Sequence, residues 1–203
     1  MIEDIIKTGK KYQVIYADPP WSYYNDMSVT PEHVGKNVLI NPPYPVLSSK
    51  DIKSIPVAEI ADEHCLLFLW TTDYHLKKAI EVIDSWGFEY KTVGFAWQKL
   101  NKKNQPVVST GGAYTMKSGI ELCLLATKGR CPTLVKKRNV RSFLSSQRQH
   151  HSKKPDEVRE RIDDMLKENL NKIELFARDK FDGWDCWGNE VYADRKRNTF
   201  VSW

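Results

Sequence analysis

Ten residues near the start of the chain, Tyr12 to Trp21 (YQVIYADPPW), limit the fold more than any other stretch. Val14, Ile15, Tyr16 and Ala17 form a short β-branched and aromatic run with the character of a buried strand. Asp18, Pro19, Pro20 and Trp21 end it. Two consecutive prolines have no backbone N–H to give to a sheet or a helix, so the chain must leave the sheet there. The prolyl carbonyls and the Asp18 carboxylate are left at the C-terminal edge of the strand, where open α/β sheets bind their ligands. An acid, a cluster of acceptors and a large flat ring at such an edge could receive a planar molecule that carries an amino group.

The remaining composition sets the class. The 203 residues suffice for one domain with a buried core, and 41% hydrophobic with 28% charged residues is ordinary for a soluble globular chain. No apolar run approaches the roughly 20 residues of a membrane span, and the start MIEDIIKTGK lacks the apolar core of a secretory signal. A cytoplasmic protein with no membrane partner is expected. Cys65, Cys123, Cys131 and Cys186 show no C-x-x-C pairing and read as free thiols rather than metal ligands or disulfides. The net charge of +5 favours a polyanionic partner. Basic residues crowd two segments of loop-like composition, Lys99 to Lys103 and Lys136 to Arg148, which suit solvated loops and nucleic-acid binding equally well.

Taken in order, Ser22 to Pro56 lacks periodicity and reads as a long active-site loop, about 22–56. It holds a competitor for the first tetrad, since Val38-Leu39-Ile40 leads into Asn41-Pro42-Pro43-Tyr44. The first tetrad follows the longer strand, so the second reads as part of a lid over it. Leu66 to Trp70 is a continuous apolar run of the kind a central parallel strand shows. Leu76, Ala79, Ile80 and Ile83 fall at helical spacing, with Thr72 or Asp73 as cap and Gly87 as stop. Phe88 to Gln98 and Glu121 to Ala126 read as strands, separated by a polar, basic loop at about 99–119; a second basic loop spans about 132–150. Pro155 opens a helix with Asp156 and Glu157 in its first turn and Val158, Ile162, Met165 and Leu166 as its apolar stripe. Lys172 to Ala177 is the last strand, before a tail that contains Gly188-Asn189-Glu190. Strands alternating with helices, without repeats or a domain boundary, predict one α/β domain with a doubly wound sheet.

Several of these elements recur together. Asp18-Pro19-Pro20-Trp21, Leu66 to Trp70, His151-Ser152-x-Lys154-Pro155-Asp156-Glu157, Lys172 to Phe176 and Gly188-Asn189 stand in an order that resembles the MT-A70 family of adenine methyltransferases, over roughly residues 12 to 190. The resemblance implies a Rossmann-like doubly wound methyltransferase sheet in permuted motif order, with the catalytic D-P-P-W strand first and the cofactor-binding strand near the C-terminus. It implies S-adenosyl-L-methionine as cofactor and the 6-amino group of adenine in DNA or RNA as target. Carried over by position, Asp18, Pro19, Pro20 and Trp21 are the catalytic tetrad. Asp18, Glu174, Leu175, Arg178, Asn189 and Glu190 hold the cofactor, and Tyr44 becomes an active-site loop residue. Members of the family place a Lys before the Glu of the penultimate sheet segment, where this chain has Ile120 before Glu121.

The chemistry fits those residues independently. Adenine's exocyclic amine is a poor nucleophile because its lone pair is delocalised into the ring. Two acceptors on its N–H groups favour the localised form, and the Asp18 carboxylate and Pro19 carbonyl are suited to that. With an ordinary pKa of about 3.9, Asp18 orients the amine rather than deprotonating it first. Trp21 offers a stacking face for the base. Because the target amine is buried in a duplex, the base must be flipped out or presented single-stranded. Lys102, Lys103, Lys136, Lys137, Arg138 and Arg141, with the 22–56 loop, are candidates for holding the strand. The expected reaction is N(6)-methyladenine formation in DNA, since the chain carries no appended RNA-reading module. RNA, another planar amine, a catalytically silent nucleic-acid-binding relative and a homodimer stay open.

Overall fold

The first apolar run forms strand β1 (Tyr12–Ala17), in which Val14, Ile15, Tyr16 and Ala17 have no solvent exposure. The computed structural model describes residues 2–22, 45–108, 119–149, 153–189 and 191. Helix α1 (Ile2–Lys7) precedes β1. After it come α2 (Ser49–Ser54), β2 (Ala61–Thr72), α3 (Leu76–Ser85), β3 (Glu89–Leu100), β4 (Ile120–Lys128), β5 (Phe143–Gln147), α4 (Asp156–Met165), β6 (Lys172–Leu175) and β7 (Asp185–Trp187). The seven strands make one sheet in the order β5-β3-β4-β2-β1-β6-β7.

Strand β1 lies between two parallel neighbours, with Ala17 opposite Leu69 of β2 and opposite Leu175 of β6. Side chains alternate across a strand, so Val14 and Tyr16 pack with Val158 and Ile162 of α4, while Ile15 and Ala17 pack with Ile52, Val82 and Ile83 of α2 and α3. Each apolar side chain fully buried in these layers contributes roughly 1.5–3 kcal/mol. Helices thus cover both faces beside β1, as a doubly wound sheet requires. The sheet as a whole is mixed, because β4 runs antiparallel to both β2 and β3. Strict alternation of strand and helix therefore fails at β3 and β4, where an antiparallel pair needs no crossover helix.

Other local expectations need correction. Ser48 and Asp51 form a capping box that starts α2 inside the stretch read as loop 22–56. Strand β5 lies inside the stretch read as loop 132–150; its polar sequence FLSSQ buries only Leu144, as suits a strand at the sheet edge. β3 extends through Lys99 and Leu100, so the 99–119 segment begins in a strand. Neither Thr72 nor Asp73 caps α3: β2 continues through Thr72, and His75 takes the N-cap position without a side-chain cap bond. Gly87 does end α3, in the left-handed region at φ 78°. Asn41 to Tyr44, the competing tetrad, lies outside the described residues, as do Glu190, His151 and Ser152.

Candidate active site

One edge of the sheet gathers the chemistry-bearing residues. Strands β1, β2 and β6 run parallel, so Asp18 after β1, Thr71 and Thr72 at the end of β2 and Leu175 at the end of β6 all lie there. Because β4 is antiparallel, its first residues reach the same edge, with Glu121 opposite Thr72 and opposite Trp97 of β3. Lys154 arrives just before α4. It donates to Asp18 Oδ2 at 2.6 Å, stands 3.2 Å from Glu121 Oε2 and lies over the Trp70 ring at 5.5 Å from its centroid. Glu121 also pairs with Lys99. The result is an alternating row of charges, Asp18, Lys154, Glu121 and Lys99, in which every buried charge has an opposite neighbour.

The row divides the two acids. Burial pushes the Asp18 carboxyl above its ordinary range, against the pull of Lys154, and Glu121 adds to the rise. Burial acts on Glu121 as well, but Lys154 and Lys99 together hold it below the ordinary range. Burial disfavours the Lys154 ammonium, yet Asp18 and Glu121 outweigh it and raise its pKa. Of the two carboxylates that share Lys154, Asp18 is the more easily protonated. Lys154 holds one Asp18 oxygen, Oδ2, and a carboxylate's second oxygen can accept a further hydrogen bond.

The tetrad turns sharply. Trp21 N–H donates to the Pro19 carbonyl at 2.9 Å, a three-residue turn that occupies one of that oxygen's two lone pairs. Leu47 N–H donates to the Pro20 carbonyl at 2.9 Å, and Ser22 N–H donates to Leu47 O at 3.1 Å, so residues 45–48 return alongside the tetrad. Trp21 is 8% exposed, with its indole N–H donated to the Trp70 carbonyl at 3.0 Å. One face of its ring is stacked on His75, at 5.5 Å between centroids. His75 thus covers one face of the ring.

On the β6 side, Glu174 and Leu175 are buried, and the next residue, Phe176, has a left-handed backbone at φ 62°. A bulky residue in that region marks a turn held by its surroundings. Trp187 O accepts from Ala177 N–H at 2.9 Å, and a Cβ on Gly188 would fall 2.1 Å from Ala177 O, so only glycine fits before Asn189. Asn189 is buried, and its Nδ2 has no hydrogen-bond partner among the described residues. The Arg178 charge reaches Asp18, whose proton affinity it lowers.

Buried Arg159 of α4 donates to Glu174 Oε2 at 2.8 Å, pairs with Asp156 and stacks on Phe181 at 3.5 Å. Burial pushes the Glu174 carboxyl up to about 7, with Arg159 opposing and Asp18 adding to the rise. The unfolded chain loses this proton near the ordinary value of 4.5, while the fold keeps it to about 7. The folded state therefore binds the extra proton in between, and the stability contribution of Glu174 falls as pH rises through that window. Unfolding free energy measured in urea for the wild type minus that for Glu174→Gln should fall between pH 5 and pH 8, by up to about 3 kcal/mol. A pH-independent difference would refute the assignment.

The basic candidates separate. Lys102 and Lys103 are exposed on the turn just past β3, at the Asp18 edge. Lys136 and Lys137 instead donate their backbone N–H groups to Met165 O at the far end of α4, about 15 Å along that helix from its start beside Lys154. Lys137 pairs with Asp164, and Lys137, Arg141 and Arg161 line a cavity of about 420 Å³ between this segment and α4. Arg138 and Arg141 are exposed. Among the described residues, no cluster of His, Cys, Asp or Glu is placed to hold a metal ion, and no helix is long and apolar enough to cross a membrane. All four cysteines are free.

A family model described as MT-A70 matches residues 12–190, the span that runs from β1 to the turn after β7. The chain belongs to the MT-A70 family. Among curated proteins it is 42% identical over 192 residues to the type II methyltransferase M.MunI of a Mycoplasma species, covering 90% of this chain and 78% of that protein. The N(6)-adenine-specific methyltransferase METTL4 is 26% identical in mouse and 27% in human; the match covers 99% of this chain but 42% of each METTL4. MT-A70 membership explains why the tetrad, the E-L-F strand and the G-N turn meet at one edge. The geometry adds Lys154, Glu121, Lys99, Arg159 and His75 to the residues singled out in the sequence as catalytic or cofactor-binding. Lys154 stands within the H-S-x-K-P segment and is legible as part of a motif. Glu121 matches the Glu of the penultimate sheet segment and Lys99 opens the first basic segment, while Arg159 and His75 give no signal beyond being polar residues beside apolar ones.

Proposed function

We propose that this MT-A70 protein transfers a methyl group from S-adenosyl-L-methionine to the 6-amino group of adenine in DNA. The observation that carries the reading is the Asp18 carboxylate, bound by Lys154 at 2.6 Å and set one residue beyond the point where β1 meets both β2 and β6. The free Asp18 oxygen and the open lone pair of the Pro19 carbonyl accept the two amine N–H groups and localise the nitrogen lone pair. Lys154 favours the ionised form of Asp18 against the effect of burial, while Glu121 and Lys99 balance Lys154. The face of Trp21 turned away from His75 bears the base.

The cofactor fits the β6 side of the edge. Glu174, fixed by Arg159, Leu175, Arg178 and Asn189 would hold it, together with Glu190; Asn189 Nδ2 is a buried donor that calls for an acceptor such as a ribose hydroxyl. When bound it supplies an electrophilic methyl group on a sulfonium. The remaining catalysis is placement of the amine in line with that methyl, which proximity accelerates strongly. Tetrad strand first and cofactor strand late is the permuted order of motifs, within one methyltransferase domain.

The similarity to M.MunI supports DNA over RNA; the basic balance of the chain suits either polyanion. In this reading Lys102 and Lys103 hold the nucleic-acid strand, and Tyr44 is the active-site loop residue that the family resemblance implies. Lys136, Lys137, Arg138 and Arg141 bind the flanking phosphates. Replacing Lys137, Arg138 and Arg141 together by Gln should flatten the dependence of DNA affinity on salt by about one unit of slope for each phosphate no longer bound. An unchanged slope would make the segment a solvated surface. The function itself is tested by incubation with labelled cofactor and single- and double-stranded DNA and RNA, followed by nucleoside analysis. Label in N(6)-methyladenine from DNA supports it. Label confined to RNA or to another base, or none at all, overturns it.

A further inference from the structure

His75 sits under the tetrad with no solvent exposure, between the end of β2 and the start of α3. Its ring lies nearly parallel to the Trp21 indole, 20° between planes, and Tyr74 meets its edge at 4.9 Å. Nε2 stands 3.2 Å from the Ser22 carbonyl and Nδ1 3.1 Å from Thr72 Oγ1. A carbonyl can only accept, so Nε2 carries the proton and donates to Ser22 O, and Nδ1 accepts from the Thr72 hydroxyl. The imidazole is therefore fixed from β2 and in turn fixes the residue that follows the tetrad.

We propose that His75 is a positioning residue for methyl transfer, holding Trp21 and Ser22 so that the Pro19 carbonyl points at the amine; this rests on the reading of Asp18 to Trp21 as the methyl-transfer tetrad. The path from His75 to the reacting group is short. The ring supports the Trp21 indole, whose N–H is also held by Trp70 O at 3.0 Å. The Trp21 backbone N–H in turn holds the Pro19 carbonyl at 2.9 Å. Prolines 19 and 20 have locked φ angles, so a tilt of Trp21 or a slip of Ser22 is passed to that carbonyl with little slack. A phenylalanine would fill the same buried volume without polar atoms to satisfy. The imidazole adds the bond to Ser22, and that bond acts on the tetrad.

Two variants divide the roles. His75→Phe keeps a ring beneath Trp21 and removes both nitrogen hydrogen bonds; His75→Gln can still donate to Ser22 O and removes the stack. Each should lower kcat for methylation of an adenine-containing duplex by about 10- to 100-fold, as small misplacements of reacting groups do. S-adenosyl-L-methionine affinity by calorimetry should stay at the wild-type value, because Glu174 and Leu175 lie on β6 and Arg178 and Asn189 in the turns after β6 and β7, away from His75. Crystal structures should show the Pro19 carbonyl displaced in both. A folded His75→Phe protein with wild-type kcat overturns the proposal, and so does a loss of kcat that only mirrors lost cofactor affinity. If the wild type methylates no adenine substrate, the tetrad reading has failed instead. The structures still decide in that case: Trp21, Ser22 and the Pro19 carbonyl unmoved in both variants would refute the role of His75.

Discussion

Asp18→Ala is expected to lower the rate of adenine methylation by about 100- to 1,000-fold or more, the range for removal of one preorganised group facing the reacting atoms. The fold should survive the change. Lys154, which would lose its 2.6 Å partner, keeps Glu121 at 3.2 Å, so the buried ammonium is not left alone. Cofactor binding should remain measurable, because Glu174, Leu175 and Asn189 stand on other strands. The result to look for is a collapse in single-turnover rate in a protein that still melts cooperatively and still binds S-adenosyl-L-methionine. Activity within tenfold of wild type would remove Asp18 from the chemistry.

Lys154→Met is expected to act differently, through the charge state of Asp18. Without the ammonium, Asp18 and Glu121 face each other as buried carboxylates with only Lys99 beside Glu121. Two acids so placed cannot both ionise easily, and Asp18, already pushed up by burial, takes the proton first. A protonated Asp18 no longer draws in the amine N–H as a carboxylate does. The acid limb of the pH–rate profile should move to higher pH, with kcat/KM reduced about 100-fold at pH 6 and much less at pH 9. A loss of the same size at every pH would mean that Lys154 serves only packing or cofactor binding. Some stability should be lost as well, since breaking a buried pair costs about 3–5 kcal/mol before protonation relieves it. Melting curves at each pH separate that cost from the rate effect.

The elements that are readable from the chain alone share a local cause. β1 is legible because four consecutive apolar residues stop at two prolines. β2 is legible in its apolar run Leu66 to Trp70 but not in its polar start at Ala61, α3 and α4 are legible through their helical stripes, and Gly87 because it ends a helix in the left-handed region. The capping box of Ser48 and Asp51 is equally local, yet it is hidden in a stretch whose composition reads as loop. Short edge elements carry too little pattern: β5 buries one large apolar side chain, and β7 spans Asp185 to Trp187. The antiparallel course of β4 leaves no mark either, because a buried strand has the same composition whichever way it runs.

The site divides along the same line. Its covalent and conformational constraints are local: the prolines that end β1, the Asp18 carboxylate beside them, and the glycine that must precede Asn189. Each is written in a motif of two to four consecutive residues, and together with the resemblance these motifs name the chemistry. Burial and pairing are set at long range. The Lys154–Asp18 bond joins residues 136 positions apart, Arg159 meets Glu174 across 15, and His75 reaches Ser22 across 53. Which acid is raised and which is lowered, and which face of Trp21 is already covered, depend on groups that only the sheet brings together. Hydrogen bonds and ring stacking need contact in space, so the order of residues along the chain could state that Asp18 is present, while the packed strands decided that Lys154 pairs with it and that His75 stands beneath Trp21.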